Sequence, residues 1–434
     1  MPEKLEWPPS LWASVSPPGP QLPALEGEAE ADVAVVGAGF SGLSTALHLR
    51  RAGVDVAVIE AAEPGWGASG RNNGQVIPTL TRPEPDDIVA RHGEAGERLV
   101  GLVRDCASIL FDLAREEKID IEAEAEQHGW IQPVHSPGRL KIAERRVRQW
   151  SKHGAPVDMI SRERMRALTG SDAWFGGWTN PTGGHVNPLG LARGMARAVL
   201  ARSGRIYARS PVVGYARDGD GWRITTQKGQ LRARALVLAT NAYTGEFSRT
   251  LAPRIAREVV PVFSWQMATA PLSDNIRKSI IPGRHAVSDT HRELYFARYD
   301  ARNRLVTGGA ILLPWKRRER MQPYIAARLE RLFPQIGPVT FDYVWNGYIG
   351  ITRDFFPRVH RLGPDAFAWA GCNGRGVGFA VAMGRELAKA VTGTPLTELA
   401  MPLSEPDPIP LHGVVRRFAP LMLAPYRLQD RQEI

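Results

Sequence analysis

Residues 31–60, ADVAVVGAGFSGLSTALHLRRAGVDVAVIE, constrain the fold more than any other stretch of the chain. Ala31–Val36 is apolar and β-branched, as a buried parallel strand requires. Gly37, Gly39 and Gly42 follow in the spacing G-x-G-x-x-G, with Phe40 and Ser41 opening a helix behind them. In such a turn the first glycine makes the bend and the second lets backbone approach a pyrophosphate. The third lets the helix pack on the sheet. The helix N-terminus offers free N–H groups to the phosphates, and Glu60 ends the next strand, where a carboxylate accepts ribose hydroxyls. Strand, turn, helix and acid together predict a dinucleotide site, against the bland reading of a glycine turn. They do not choose between a nicotinamide and a flavin.

The next segment, GWGASGRNNGQ at 65–75, is too irregular for a helix and too polar for a core. At this distance after Glu60 it resembles the D-amino-acid oxidase superfamily of FAD enzymes, most closely the gamma-glutamylputrescine oxidase branch of amine oxidases. Three later blocks carry the resemblance further. GGHVNPLGLARGMARAVLARSGRI at 183–206 is similar to the family's return helix, which leads through a strand to Val212. ARALVLATNAY at 233–243 resembles the second flavoprotein fingerprint. Residues 345–393, from WNGYIGITRDFFPRV to AGCNGRGVGFAVAMGRELAKAVTG, resemble the closing strand–loop–helix over the flavin ring. A nicotinamide-dependent enzyme would explain the first block but not the other three.

The resemblance implies an α/β chain with a discontinuous Rossmann-like FAD-binding domain and an antiparallel-sheet substrate domain. The expected division is an arm at 1–30, FAD-binding segments at 31–85, 185–250 and 345–395, and substrate segments at 86–184 and 251–344. A C-terminal tail, 396–434, completes it. Within it, Val414, Val415, Phe418 and Leu421 predict a short amphipathic helix bordered by Arg416 and Arg417, packed on its own protein. The residues implied to hold FAD are Gly37, Gly39, Phe40, Ser41, Gly42, Glu60, Gly67, Ala68, Ser69, Arg71, Asn72, Asn73, Gly74 and Gln75. Val212, Thr240, Asn241, Asn373, Gly374, Arg375, Gly376 and Val377 follow from the later blocks.

Non-covalent attachment of FAD is expected. Ala68 and Ser69 stand where some relatives carry a linking histidine, and Trp345–Tyr348 holds no cysteine. Cys372 is expected to be a small buried residue.

The chemistry implied is hydride transfer to flavin N5 from a C–H beside an amine nitrogen, giving an imine that hydrolyses to a carbonyl. An aromatic pocket would keep the amine neutral, because burial disfavours the ammonium ion. Tyr295, Phe296, Trp345 and Tyr348 are candidates to line it. Arg375, standing where many relatives have histidine, is a candidate to stabilise reduced flavin, and Arg298 a candidate in the neighbouring sheet. Gly378 stands where sarcosine-type relatives carry a carboxylate-binding lysine. Asn73 and Val76 stand where they carry arginines, so an amine is favoured over a simple α-amino acid. The oxygen-activating lysine that the resemblance places near Arg304–Thr307 is missing. Oxygen is nevertheless the expected acceptor. The alternatives are an amino-acid or hydroxy-acid dehydrogenase using another acceptor, and a flavin-binding scaffold without turnover.

Composition bounds the rest. Of 434 residues 43% are hydrophobic, enough for a large core. The 2 cysteines, Cys106 and Cys372, give no disulfide framework and fit a reducing, cytoplasmic setting. A formal charge of +10 raises nucleic-acid binding, but the arginines are scattered and no nucleic-acid module accompanies them. The basic runs Arg145–Arg148 and Lys316–Arg320 are expected to be solvated faces. No apolar run spans a bilayer, and membrane contact is not expected.

Overall fold

The computed structural model describes residues 5–310 and 316–433. Two eight-stranded sheets organise these residues. The first is built on Gly27–Val36, whose Val33–Val36 end is buried on both faces. It pairs in parallel with Gly229–Leu238 on one side and Val56–Ile59 on the other. Ala366–Ala370 and Arg205–Tyr207 extend the parallel run outward. The antiparallel strand Arg358–Gly363 closes one edge, and the pair Val212–Asp218 and Gly221–Thr226 folds off Gly229–Leu238.

Helix Phe40–Arg51 follows the central strand across a turn with no room for side chains. A Cβ at Gly42 would lie 1.9 Å from the Gly37 carbonyl oxygen. Gly37 itself sits at φ +104°, in the region that favours glycine. Helix Gly376–Val391 packs beside Phe40–Arg51 and against the long helix Glu94–Glu116. In the long helix Leu99, Leu102, Val103, Cys106, Leu110 and Leu113 are all buried, one face of a helical repeat.

The second sheet runs Phe341–Ile351, Val260–Thr269, Leu305–Gly309, Phe296–Tyr299, Ala286–Ser288, Trp130–Pro133, Gly177–Asn180, Asp158–Ile160. Its pairings are antiparallel except between Ala286–Ser288 and Trp130–Pro133. Strand Phe341–Ile351 belongs to this sheet, so the change from one sheet to the other falls after Ile351 and not at 345. It pairs along its length with Val260–Thr269, and that long register outweighs its closeness in sequence to the closing loop.

Two terminal regions depart from expectation. The N-terminal arm is not only a surface segment. Leu11 and Trp12 of the helix Leu11–Val15 are fully buried against Leu189, Ala268, Val306 and Trp345. An indole of that size gains too much from burial to stay in solvent. The C-terminal helices His412–Phe418 and Leu423–Gln432 do lie on the protein, but through polar contacts. Leu411, Val414, Phe418, Met422 and Leu428 remain exposed. Among the described residues no helix is long and apolar enough to cross a membrane.

Candidate active site

One cavity of about 820 Å³, lined from both sheets, runs from the glycine turn to the C-terminal tail. At its inner end Gly37, Gly39, Phe40 and Ser41 face Glu60, Val212, Thr240 and Asn241. The Glu60 carboxylate is fixed by its own turn, accepting the Ala38 N–H at 2.7 Å and the Ala62 N–H at 2.9 Å. Burial pushes its pKa up, and those two N–H groups work against the rise. Ser69 ties the polar segment to this end, its hydroxyl accepting the Phe40 N–H at 3.0 Å.

The polar segment forms the middle wall. Gly67, Ala68, Ser69, Arg71, Asn72, Asn73 and Gln75 all line the cavity. Asn72 holds the bend, donating to the Ala68 and Ser69 carbonyls and accepting the Gly74 N–H at 2.7 Å. Arg71 lies over the Trp66 ring at 4.1 Å and donates to the Trp66 carbonyl, while its Nη2 is buried without a partner. The Gln75 side-chain oxygen is likewise buried and unpartnered.

The closing loop lies opposite. Asn373 at φ +49° and Gly374 at φ +86° reverse the chain before helix Gly376–Val391 begins. The Asn373 amide locks this bend, accepting the Thr352 N–H at 2.8 Å and donating to the Gly371 carbonyl at 2.9 Å. Asn373, Gly374, Arg375, Gly376 and Val377 line the cavity, so the unpaired N–H groups of the helix start open onto it. Arg375 is only 8% exposed, and its Nη1 has no partner. Burial, with Arg146 close by, pushes its pKa down, and the Glu84 carboxylate only partly opposes that fall.

Toward the mouth the walls become aromatic, then basic. The Tyr348 ring lies 5.2 Å from that of Tyr243 and 4.7 Å from that of Phe263, with Phe296 lining the same cavity. Arg82, Arg139, Arg145, Arg146 and Arg292 line the same cavity, together with the acids Glu84, Asp289 and Glu293 and with Tyr426 of the tail.

Several expected residues lie elsewhere. Arg298 is buried behind the polar segment, donating to the carbonyls of Asn73, Tyr299 and Val186 with Trp12 beneath it. Its donors are spent on backbone, so it braces the wall and does not reach the cavity. Tyr295 precedes Phe296, and strand alternation turns it to the other face, between His291 and Arg328. Trp345 packs in the cluster with Trp12 and donates to the Arg71 carbonyl.

Gly42 and Gly74 are close-packing positions. A Cβ at Gly74 would lie 2.0 Å from the Val186 carbonyl oxygen. Gly378 faces Cys106 and Val76, off the cavity, so its position offers no route for a side chain to the substrate. Cys372 is half-buried and lines the cavity.

Sequence reasoning missed most of the mouth. The run Arg145–Arg148 was the available signal: Arg145 and Arg148 are exposed as a solvated face requires, but Arg145 and Arg146 also line the cavity. Arg139 and Arg292 come from separate segments with nothing in their local sequence to mark them, whereas Tyr243 ends the block ARALVLATNAY and was not singled out within it.

The fold and cavity define a dinucleotide-binding oxidoreductase. The family model described as "FAD dependent oxidoreductase" (DAO) matches residues 32–390, and the chain belongs to that family. It is 31% identical to gamma-glutamylputrescine oxidoreductase of Escherichia coli, over 83% of this chain and 84% of that protein. It is 30% identical to the probable oxidoreductase OrdL of Haemophilus influenzae, over 86% of this chain and 85% of that protein. Among solved structures it resembles glycine oxidase from Geobacillus kaustophilus. The TM-score is 0.70 and the identity 20%, covering 84% of this chain and 95% of that one.

The residues present fit FAD. Gly37 and Gly39 leave a cradle that a side chain would fill, and Glu60 is a fixed acceptor. The orphaned Arg71 Nη2 and Arg375 Nη1 are buried donors along the same cavity.

Proposed function

We propose that this FAD-dependent oxidoreductase oxidises a C–N bond of an amine or amino-acid-derived substrate. Bound FAD supplies the hydride acceptor at N5, and the resulting imine hydrolyses to a carbonyl. One observation carries the reading. A single cavity is lined by the glycine turn, by aromatic side chains and by Arg375, a buried guanidinium whose Nη1 has no hydrogen-bond partner.

In this reading Gly37, Gly39, Phe40 and Ser41 receive the pyrophosphate, and Glu60 accepts ribose hydroxyls. Ser69, Arg71, Asn72, Asn73 and Gln75 flank the ring, with Val212, Thr240 and Asn241 at the inner end. The helix start at Gly376 and Arg375 would together stabilise negative charge on a bound flavin. Tyr348, with Tyr243 and Phe263, packs the alkyl chain of the substrate and keeps water from its nitrogen, so the amine is held neutral.

FAD is held without a covalent bond, which acid precipitation tests: a colourless pellet under a yellow supernatant is expected. Gamma-glutamylputrescine, named in the E. coli relative, is the first substrate to try. Aerobic turnover should release an aldehyde that a carbonyl-trapping reagent captures, with peroxide in equal amount if oxygen is the acceptor. A dehydrogenase using another acceptor is the second reading. It is favoured by the cavity lining, which among the described residues includes arginines but no lysine. Substrate-dependent reduction of an artificial dye without peroxide would select it.

A further inference from the structure

We propose that Arg139 and Arg292 form a subsite for a carboxylate at the far end of the substrate, and that Asp430 and Glu433 of the tail occupy it as stand-ins. The inference rests on the amine-oxidising reading only in assuming that the substrate enters by this mouth.

Both guanidiniums line the cavity that also holds Tyr348 and Arg375. Arg139 grips Glu433 with two parallel bonds, Nε to Oε2 at 2.5 Å and Nη2 to Oε1 at 2.9 Å. Arg292 donates Nη1 to Asp430 Oδ1 at 2.8 Å and Nη2 to Glu433 Oε1 at 2.5 Å. Its backbone N–H adds a bond to Asp430 Oδ2 at 2.9 Å. This forked, charge-assisted geometry is the one by which arginine fixes a carboxylate.

Two acids of the protein body that line the cavity keep their own partners: Asp289 takes the His291 ring, and Glu84 takes Arg146 and the Trp150 indole. A third, Glu293, holds Arg427 of the tail and the Tyr324 hydroxyl. Lifting the tail takes both tail carboxylates from Arg139 and Arg292 and takes Arg427 from Glu293. The Glu433 carboxyl sits low, at about 2: burial works to raise it, but Arg139 and Arg292 hold it down. That is the response of a carboxylate bound by cations.

The segment is also built to leave. Leu421, Met422 and Leu428 are each about half exposed, so detaching it forfeits little apolar burial. What holds it is polar: the Arg427–Glu293 fork, a bond from Arg82 to the Tyr426 hydroxyl, and the two acids at issue. A metal does not explain the cluster. His135 Nε2 lies 3.6 Å from Glu433 and 4.0 Å from Asp430, but two arginines already balance those carboxylates. A substrate with an amine at one end and a carboxylate at the other would displace the tail from its arginines. A neutral amine would have to enter with the tail in place.

Glutarate, a dicarboxylate with no amine to oxidise, is the probe. Its affinity for the FAD-loaded enzyme is measured by calorimetry. The double variant Asp430→Asn/Glu433→Gln should bind glutarate about tenfold or more tighter than the unmodified enzyme, the worth of one charged hydrogen bond. Adding Arg139→Gln and Arg292→Gln should remove the gain, and Arg139→Lys with Arg292→Lys should keep part of it. Glutaramide should bind no better to any of them.

An unchanged affinity in the tail variant, or a gain that survives loss of the arginines, overturns the subsite. The same preparations are tested for flavin reduction by amines. A glutarate gain without reduction by any amine leaves the subsite standing and removes the amine reading. Reduction without the gain does the reverse.

Discussion

The two ends of the cavity are built from different materials. The inner end is backbone: a glycine turn, helix N–H groups and one carboxylate fixed by two amides. The mouth is side chains: tyrosine and phenylalanine rings tilted against one another, then guanidiniums drawn from segments far apart in sequence. A backbone cradle recognises what every member of such a family shares and tolerates almost no change. A side-chain wall can be rewritten one residue at a time, so the mouth is where we propose that the substrate is selected. The difference predicts that inner-end substitutions act on FAD retention, whereas outer-end substitutions leave FAD bound and act on reduction.

The largest effect belongs to Gly39→Val. A Cβ there already lies 2.9 Å from the Ser69 hydroxyl that receives the Phe40 N–H, and two further methyls fill the cradle. The purified variant should be colourless; normal flavin content would break the inner half of the comparison. Arg375→Gln comes next. Flavin content should hold, while the rate of flavin reduction falls about 10²-fold, as for loss of one preorganised donor. An unchanged rate would show that its unpartnered Nη1 does not face the chemistry.

Gly378→Lys separates packing from recognition. Its Cβ would sit 3.1 Å from the Cys106 carbonyl oxygen between packed helices, so a loss of about 1–3 kcal/mol is expected. Thermal unfolding should show the loss while the ranking of sarcosine against longer amines stays fixed. A shift toward sarcosine would mean that the lysine reaches the cavity after all. Glu60→Gln should have the smallest effect: the amide oxygen still accepts, although the NH2 group opposes one of the two N–H groups, of Ala38 or Ala62, that the carboxylate accepts. FAD affinity should weaken by about tenfold or less, under the full worth of one charged hydrogen bond because the amide keeps an acceptor. Complete flavin loss would mean that Glu60 chiefly holds the turn.

Legibility in sequence followed the same division. The turn at Gly37–Gly42, the acid at Glu60 and the strand before Thr240 are local patterns whose spacing is dictated by backbone geometry. The long helix carries a local pattern of the same kind in the spacing of Leu99, Val103, Cys106 and Leu110. Arg298 was misplaced because a buried guanidinium that braces carbonyls and one that meets a substrate look alike in sequence. Tyr295 failed on strand phase, since one residue of shift turns a side chain to the other face. The basic mouth was invisible as a site because Arg139, Arg145 and Arg292 meet only after the second sheet and the tail have folded. Trp12 was hidden by the prolines around it, which mark an arm but not where its indole goes.

The central claim is that a substrate amine delivers its electrons to the FAD in this cavity, and anaerobic flavin reduction tests it most directly. The yellow enzyme, kept free of oxygen, is mixed in turn with gamma-glutamylputrescine, putrescine, sarcosine, a small D-amino acid and lactate. The account predicts rapid loss of the visible flavin band with the longer amines and slow loss with sarcosine and the D-amino acid. Lactate should leave the band intact. Bleaching by lactate alone, or by none of the five, would contradict it.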